Sequence, residues 1–291
     1  MPVDHYENFP VASLLLPRAL RAPVATIYAF ARSADDIADE GDAPPEERLA
    51  ALADYERQVQ RIAAGLPAEN ELFARLDALV RAGRIETVHL SDLLSAFSQD
   101  VTTLRYATHA DLLDYCRRSA NPVGRMMLGL YGVPFGAALP ARLAQSDAIC
   151  TALQLINFWQ DVVIDWAKGR IYLPEEDRLR FGVSEADLER LVADTAPEPV
   201  HGAWRALLAF EVERSRALMQ AGAPLALALP GRIGLELRLV VQGGLRILER
   251  IEAVDYDVFR RRPVLGPRDW LTMAGRALSR KRFAPALTIP A

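Results

Sequence analysis

The chain has 291 residues, 51% of them hydrophobic, and a formal net charge of −4 at pH 7. A chain of this size and composition can bury a large core, and its slightly acidic balance argues against nucleic acid as a partner. No low-complexity linker or repeat divides it, so we predict one domain over residues 1–291. Cys116 and Cys150 are too few for a disulfide framework, and the polar start, with Asp4 and Glu7, is unlike a signal peptide. We therefore expect a cytoplasmic protein.

Apolar residues recur at the helical period through most of the chain, and no stretch shows the sustained alternation of a β-strand. We therefore predict an all-α fold. The predicted helices cover, approximately, residues 20–40, 44–65, 68–82, 88–105, 108–132, 139–166, 200–222, 230–254 and 267–280. Prolines that break or open helices support these bounds, namely Pro44, Pro134, Pro140, Pro174, Pro230 and Pro267.

The first predicted helix carries an acidic pair inside an apolar segment. Asp35 and Asp39 lie four residues apart, so their carboxylates share one face of the helix. Tyr28 and Arg32 fall on the same stripe at helical spacing. Because further acidic residues follow closely, a solvated acidic face is the alternative interpretation of this pair.

A second acidic pair, Asp161 and Asp165, repeats this spacing near the end of the predicted helix 139–166. Gln154 and Asn157 precede it on the same stripe, whereas the other positions of the segment are nearly all apolar. A surface helix has one apolar stripe and polar residues elsewhere. Here the pattern is reversed, so we predict that the polar stripe faces a cavity inside the protein.

Two carboxylates one helical turn apart repel each other by about 3 kcal/mol at an effective dielectric constant of about 20. Their burial therefore requires a cation. Aspartate and amide oxygens are hard ligands, and no histidine or cysteine lies nearby, so the pattern favours Mg²⁺ over Zn²⁺. Magnesium held by a few carboxylates normally takes waters or substrate phosphates as its other ligands.

Donors for a phosphate group follow the second pair directly. The segment KGRIYLP contains Lys168, Arg170 and Tyr172, and Arg32 adds another donor from the first stripe. Basic residues near a helix end are often only dipole partners and solubilising groups, which is the alternative here. Beside four aspartates, however, they suit a diphosphate bridged by magnesium.

These segments resemble a known family. YAFARSADDIAD and QLINFWQDVVIDWAKGRIYLP look like the two aspartate-rich motifs of the squalene and phytoene synthase family, the all-helical head-to-head prenyl synthases. The segments HYENF, DVTTLRY, YCRRSANPVG and GGLRILERIEAVDYDVFRRRP also match in order. Two spaced motifs with matching intervening segments are more specific than a single DxxxD. The resemblance implies a class I isoprenoid synthase-type helical bundle around a central cavity.

The resemblance also implies roles for individual positions. It implies that magnesium is held, and catalysis carried, by Asp35, Asp39, Asp161 and Asp165, with Asp36 and Asn157 as further metal ligands. It implies that the diphosphate end of the pocket is lined by Tyr28, Arg32, Gln154, Asn157, Lys168, Arg170 and Tyr172, and that His5 and Phe9 close its entrance. Asp100 and Tyr106 match the family less specifically.

Three positions depart from the family pattern. Gln160 stands where an arginine is usual, Arg117 replaces the second tyrosine of a YCY segment and precedes the unusual Asn121 and Pro122, and Gly244 replaces a tyrosine. These departures argue against the complete two-step reaction from farnesyl diphosphate. They match instead the hopanoid-pathway branch of the family, the bacterial hydroxysqualene synthases.

The resemblance therefore predicts a Mg²⁺-dependent enzyme that converts presqualene diphosphate to hydroxysqualene, releases diphosphate and captures the cation with water. No Rossmann-type glycine fingerprint occurs, so NADPH is not expected. One alternative is synthesis of presqualene diphosphate, squalene or a phytoene-type product from two prenyl diphosphates. A more distant alternative is a non-catalytic assembly protein, although such a relative is expected to lose the metal aspartates.

Water-insoluble substrates imply work at a membrane surface, although no stretch is long enough to span one. The basic tail RALSRKRF is a candidate for contact with anionic lipid, and a frayed, solvated end is the alternative. We therefore expect a peripheral location at the inner membrane face and hand-over of intermediates to other squalene-pathway enzymes.

Overall fold

The computed structural model of the protein describes residues 16–284. Within that range every regular element is helical, and one isolated β-bridge joins Arg105 to Ile171. The all-α prediction is confirmed. The α-helices, in chain order, are α1 Arg18–Asp39, α2 Pro45–Ala63, α3 Glu71–Arg81, α4 Thr87–Asp100, α5 His109–Ser119, α6 Asn121–Tyr131, α7 Leu139–Gln160, α8 Val162–Ala167, α9 Glu175–Phe181, α10 Glu185–Val192, α11 Glu198–Gly222, α12 Leu225–Ala228, α13 Gly231–Ala253 and α14 Pro267–Leu278. Gly136–Ala138 and Arg280–Phe283 form short 3₁₀ helices.

Prolines mark several helix starts, as predicted. Pro44, Pro174 and Pro230 are the residues immediately before α2, α9 and α13, and Pro140 and Pro267 lie in the first turns of α7 and α14. The first turn tolerates proline because its N–H groups have no partner within the helix.

Three short helices, α9, α10 and α12, lie outside the predicted set. They have only 7, 8 and 4 residues, too few turns to establish an apolar period. A start signal does exist for α10, because Ser184 and Asp187 form a reciprocal capping box. Local capping therefore identifies a helix that periodicity misses.

The prediction of one continuous helix over residues 108–132 is wrong. The structure divides this range at Ala120, between α5 and α6. Pro122 lies in the first turn of α6, where it has no N–H to donate to a carbonyl of α5, and in a continuous helix its ring would clash with the preceding turn. The buried amide of Asn121 instead accepts a hydrogen bond from the Thr151 hydroxyl at 2.9 Å, which joins α6 to α7.

The predicted helix 139–166 is also interrupted, at Asp161, whose φ of −108° and ψ of 18° separate α7 from α8. The N–H of Asp165 nevertheless donates to the Asp161 carbonyl at 2.9 Å. The second acidic pair therefore keeps the one-turn separation that the sequence predicts.

Two hydrophobic clusters form the interior. The first is built from α1 to α4 together with part of α6, around Phe30, Phe73 and Leu90. The second is larger and is built mainly from α5 to α7 and α11 to α13, around Trp159 and Leu208. The acidic end of α1 belongs to the first cluster and α7 to the second, so the two acidic pairs meet where the clusters adjoin.

Close packing fixes α7 against its neighbours on the second cluster. The indole N–H of Trp159 donates to the Ser215 hydroxyl of α11 at 2.8 Å, and both residues are buried. Gly244 of α13 faces the same region, and a Cβ there would lie 2.6 Å from Met219 Cε and 3.2 Å from Ile156 Cδ1. Glycine at this position therefore allows α13 to approach α7 and α11.

A buried ionic cluster holds α14 on α13. Asp269 is fully buried, and its carboxylate accepts from Arg246 Nε at 2.6 Å, from Arg250 Nη2 at 2.7 Å and from the Gly266 N–H at 2.8 Å. Burial alone would raise the pKa of Asp269, but these donors hold it well below its usual range. α14 is thus rigidly attached through an ionised side chain.

Among residues 16–284, no helix is both long enough and apolar enough to cross a bilayer.

Candidate active site

The end of α1 carries the first acidic pair. Arg32 Nη1 donates to Asp35 Oδ2 at 3.0 Å, and Arg32 Nη2 lies 2.5 Å from Asp36 and 2.7 Å from Glu40. Burial and the negative charge of Asp39 raise the pKa of Asp35 to about 6. One arginine is therefore shared among three carboxylates, and it does not neutralise them all.

A helix C-cap turns the basic segment back towards α1. Gly169 has a φ of 75° and follows α8, its N–H donates to the Trp166 carbonyl at 2.9 Å, and the N–H of Arg170 donates to the Asp165 carbonyl at 2.8 Å. This pair of hydrogen bonds is a Schellman motif, which favours glycine because only glycine adopts the left-handed conformation without steric cost. The N–H of Ile171 then donates to the Leu104 carbonyl at 3.0 Å, which fixes the direction of the segment.

The basic segment meets the first acidic pair at Asp39. Arg170 makes a two-pronged contact with this carboxylate at 2.9 and 2.5 Å, and Lys168 Nζ lies 3.2 Å from it. Burial alone would raise the pKa of Asp39, but the hydrogen bonds and charges of Arg170 and Lys168 hold it below its ordinary value. Arg170 also donates to the Asp100 carbonyl at 3.1 Å, which connects α1, α4 and the segment after α8.

The second acidic pair is only partly neutralised. Asp161 accepts from Arg262 Nε at 2.6 Å. Within residues 16–284 the carboxylate of Asp165 has neither a hydrogen-bond donor nor an ion-pair partner, and it lies half-buried. Burial, and then the charge of Asp161, raise the pKa of Asp165 to about 7, and the charge of Asp39 adds to the rise. The two acidic pairs therefore influence each other across the junction of the clusters.

These observations fit a hard divalent cation. Asp165 is half-buried, has no ion-pair partner in the described part of the chain and stands beside the carboxylate of Asp161, and the charge of Asp39 on α1 further raises its pKa. Oxygen-only donor sets of this kind suit Mg²⁺. Arg170, Lys168 and Arg262 surround the carboxylates, so anionic substrate groups would also find donors here.

The other predicted site residues differ in their exposure to solvent. Tyr28 on α1 and Gln154 on α7 are half-buried, whereas Asn157 is exposed, and its carbonyl accepts from the Asp161 N–H at 2.9 Å. Their proposed roles therefore rest on position along the helices. His5 and Phe9 lie outside the described residues.

An aromatic group lies beside the carboxylates. Tyr172 stacks on Phe158 with ring centroids 3.7 Å apart and an angle of 7° between the planes, and both rings are buried. Tyr106 and Tyr115 pack nearby, with centroids 5.8 and 6.1 Å from that of Tyr172. The Tyr115 hydroxyl donates to Asp100 Oδ2 at 2.8 Å, and burial raises the pKa of Asp100 to about 7. Electron-rich faces thus lie close to the charged end of the site.

Sequence reasoning did not assign Arg262 to the site. This residue follows α13 and contacts Asp161, which lies 101 positions away along the chain. The available signal was its place at the end of a family-like segment, in the run of three arginines before Pro263.

The departures from the family pattern have local explanations. Gln160 is 1% exposed, and its amide donates to the Pro263 carbonyl at 2.5 Å, so a neutral residue there anchors the segment that carries Arg262. Arg117 is exposed and pairs with Asp114 at 2.8 Å, away from the buried side chains.

A separate group of possible metal ligands lies among α5, α9 and α11. Ligand atoms of His109, Asp177 and Glu211 lie within 4.8 Å of one another. Arg214 already contacts Asp177 at 2.9 Å and Glu211 at 3.4 Å, so the chain itself supplies a cation to this group. Burial raises the pKa of Glu211 to about 8, which also relieves the charge.

Comparisons with known proteins identify the family and the fold. The chain matches the squalene/phytoene synthase family over residues 3–269. It is 38% identical to a hydroxysqualene synthase of Zymomonas mobilis over 64% of this chain and 61% of that protein, and 32% identical to a 15-cis-phytoene synthase of Synechococcus elongatus over 88% and 83%.

The solved structure of squalene synthase HpnC from Alicyclobacillus acidocaldarius superimposes with a TM-score of 0.75, at 38% identity, covering 87% of this chain and 90% of that one. The predicted isoprenoid synthase-type fold is thereby confirmed. The shared helical fold and the match over most of the sequence show that the chain belongs to the squalene/phytoene synthase family of prenyl synthases.

Proposed function

We propose that this protein converts presqualene diphosphate to hydroxysqualene with release of diphosphate, and that it requires Mg²⁺. The observation that carries the proposal is that one site combines a carboxylate in need of positive charge with a group of basic side chains. Among residues 16–284 no cation pairs directly with Asp165, whereas Arg170 and Lys168 converge on Asp39. A magnesium-bound diphosphate is complementary to both halves, because it brings cations to the carboxylates and anionic oxygens to the basic residues.

The chain's own residues have three tasks in this reaction. Asp35, Asp39, Asp161 and Asp165 hold the metal, with Asp36 and Asn157 as further ligands. Arg32, Lys168 and Arg170 orient the diphosphate, together with Tyr28, Gln154 and Tyr172, while His5 and Phe9 close the entrance. Bound Mg²⁺ supplies positive charge that stabilises the leaving group.

The bond changes balance without a reductant. The carbon–oxygen bond to diphosphate breaks and its electron pair leaves with the diphosphate. The cation rearranges within the apolar part of the pocket, a water oxygen bonds to it, and one water proton is released. The rings of Tyr172 and Phe158 line the same small cavity as Asp165, and aromatic faces there would stabilise a cation during rearrangement. Because no hydride is consumed, NADPH has no part in the reaction.

The similarity to hydroxysqualene synthase favours this branch, and the similarity to 15-cis-phytoene synthase supports the alternative. In that alternative the protein joins two prenyl diphosphates to presqualene diphosphate, squalene or a phytoene-type product. A non-catalytic assembly role fits less well, because all four metal aspartates are present.

We also propose that the protein acts in the cytoplasm, against the inner face of the membrane. The prenyl substrate and product are water-insoluble, so exchange through lipid, or hand-over to other squalene-pathway enzymes, avoids release into water.

Mass spectrometry of the product tests the reaction. Presqualene diphosphate incubated with Mg²⁺ in ¹⁸O-labelled water should give ¹⁸O-labelled hydroxysqualene, at a rate that NADPH does not change. Farnesyl diphosphate alone should give little product. An unlabelled alcohol, a hydrocarbon formed only with NADPH, or efficient turnover of farnesyl diphosphate would assign the protein to another branch.

A further inference from the structure

Helix α14 has two apolar faces. Met273 and Ala277 point inward and are fully buried. Leu271 and Leu278 lie on another face and are 77% and 73% exposed, with Ala274 exposed between them. The spacing from 271 to 274 and to 278 is that of a helical stripe. A surface helix of a soluble protein normally has a single apolar stripe, so the outer one lacks a partner among residues 16–284.

Loose packing does not explain this exposure. α14 is attached through the buried carboxylate of Asp269, and its last turn through Arg238, which donates to the Ala277 carbonyl at 3.0 Å. Phe283 is fully buried just beyond, so the 3₁₀ helix after α14 is anchored as well. The outward stripe is therefore a persistent feature of the folded protein.

Basic residues flank the outer stripe along the chain, before Leu271 and after Leu278. Arg268, Arg280, Lys281 and Arg282 are exposed, and no acidic residue in the described part of the chain forms an ion pair with them. The one acidic residue of α14, Asp269, is buried. Exposed Trp270 and Val264, at 39% and 53%, extend the apolar area. We call the set of Val264, Trp270, Leu271, Leu278 and these four basic residues the α14 surface.

The α14 surface lies next to the candidate active site along the chain. Val264 is two residues after Arg262, which contacts Asp161, and it directly follows Pro263, whose carbonyl accepts from Gln160. The segment that supplies a cation to the second acidic pair thus leads straight into the exposed apolar residues.

We propose that the α14 surface docks on an anionic phospholipid bilayer. An apolar stripe flanked by positively charged residues is complementary to acyl chains beneath negative headgroups. Tryptophan is favoured at the boundary between acyl chains and headgroups. A second copy of the chain is a poorer partner, because a symmetric contact would bring both sets of basic residues together.

This inference deepens the membrane contact proposed above by naming the surface and the lipid charge. The docking itself does not depend on the proposed reaction. The proposed function supplies only its purpose, which is exchange of insoluble substrate and product with the bilayer.

Co-sedimentation of the full-length protein with vesicles tests the inference. Vesicles containing phosphatidylglycerol should bind the protein, and vesicles of phosphatidylcholine alone should bind it more weakly. The double variant Leu271→Ser with Leu278→Ser should reduce binding about tenfold or more, because two largely exposed leucines lose their burial in the bilayer. Both side chains are exposed, so the fold should be retained.

Further variants separate the apolar contribution to vesicle binding from the electrostatic one. Leu179→Ser on α9, where the leucine is 71% exposed, should leave vesicle binding unchanged. The triple variant Arg280→Gln, Lys281→Gln and Arg282→Gln should reduce binding to anionic vesicles by about fivefold for each charge, and should largely remove the preference for phosphatidylglycerol.

Equal vesicle binding by the wild type and the leucine double variant would overturn the inference, as would a fall in oligomeric state in that variant without any loss of vesicle binding. Turnover of detergent-dispersed presqualene diphosphate should be the same in both proteins. A failure of the proposed reaction would appear in that assay, independently of the vesicle result.

Discussion

Two carboxylates in this protein, Asp269 and Asp165, have opposite electrostatic surroundings. Asp269 receives two arginines and a backbone N–H, and its pKa lies well below the usual range. Asp165 has no such donor within residues 16–284, and burial beside Asp161 raises its pKa to about 7. Donors of the chain therefore balance the charge of Asp269, whereas for Asp165 no donor among residues 16–284 does so, which is why we propose a bound cation there.

The difference provides a criterion for distinguishing structural carboxylates from ligand-binding ones. A buried carboxylate that is ionised by the chain's own donors stabilises the fold, and its loss leaves arginines without a partner. A carboxylate that the fold leaves uncompensated costs stability, and it persists where a ligand provides the missing charge. Variants at the two positions should therefore have opposite effects on activity and stability.

The largest effect is expected for Asp165→Asn. The amide keeps the shape but loses the charge that we propose holds Mg²⁺, so turnover should fall by about a thousandfold or more. The free energy of unfolding should stay the same or rise, because repulsion with Asp161 is relieved. Steady-state turnover and urea unfolding measure the two quantities. Wild-type turnover in this variant, or in excess EDTA, would remove Asp165 from the metal site.

Asp269→Asn should show the reverse behaviour. The variant leaves Arg246 and Arg250 without their carboxylate, so the free energy of unfolding should fall by about 3 kcal/mol, near the lower end of the range because both arginines are partly exposed. The affinity for Mg²⁺ with diphosphate, measured by calorimetry on the folded variant, should not change. A stable variant with weakened Mg²⁺ binding would contradict the structural role.

Arg170→Gln tests whether the basic residues of the candidate active site bind a ligand or only neutralise carboxylates. Affinity for inorganic diphosphate with Mg²⁺ should weaken by about 1.5 to 3 kcal/mol, because a charge-assisted hydrogen bond is lost. Arg190→Gln is the control, since the Arg190 side chain is exposed and, within residues 16–284, its ion pair is with the neighbouring Asp187. Equal affinities of the two variants in calorimetry would show that Arg170 neutralises Asp39 without contacting the ligand.

The smallest effect is expected for Glu211→Gln, which tests whether a raised pKa alone marks a metal site. The pKa of Glu211 rises from 4.5 to about 8 in the folded state, so the folded protein binds the proton more tightly. This contribution to stability is present below about pH 4.5 and is lost as the pH rises through about 8.

The Gln variant should therefore unfold with a weaker pH dependence in that window, and thermal unfolding across the range measures it. Its requirement for Mg²⁺ in turnover should match that of the wild type, because Arg214 already supplies the cation near Glu211. A changed Mg²⁺ requirement would indicate that the group around Glu211 is energetically coupled to the carboxylates of the candidate active site.

Much of the site could be predicted because its spacing is local. The pairs Asp35 with Asp39 and Asp161 with Asp165 share a face wherever a helix forms, since backbone geometry over one turn depends on adjacent residues alone. The break at Asp161 did not alter this separation, because one hydrogen bond of the helical kind spans it. The same locality explains why prolines identified helix starts and why very short helices escaped notice.

The sequence by itself determined that the fold is helical, that the four aspartates form two pairs one helical turn apart, and that a basic segment follows the second pair. Only the tertiary structure decided that Arg170 reaches Asp39 over 131 positions and that Arg262 reaches Asp161 over 101. It also decided which carboxylates receive donors and which do not. Such pairings depend on how helices pack across two clusters, and helix packing is a collective outcome of many weak contacts that no short segment encodes.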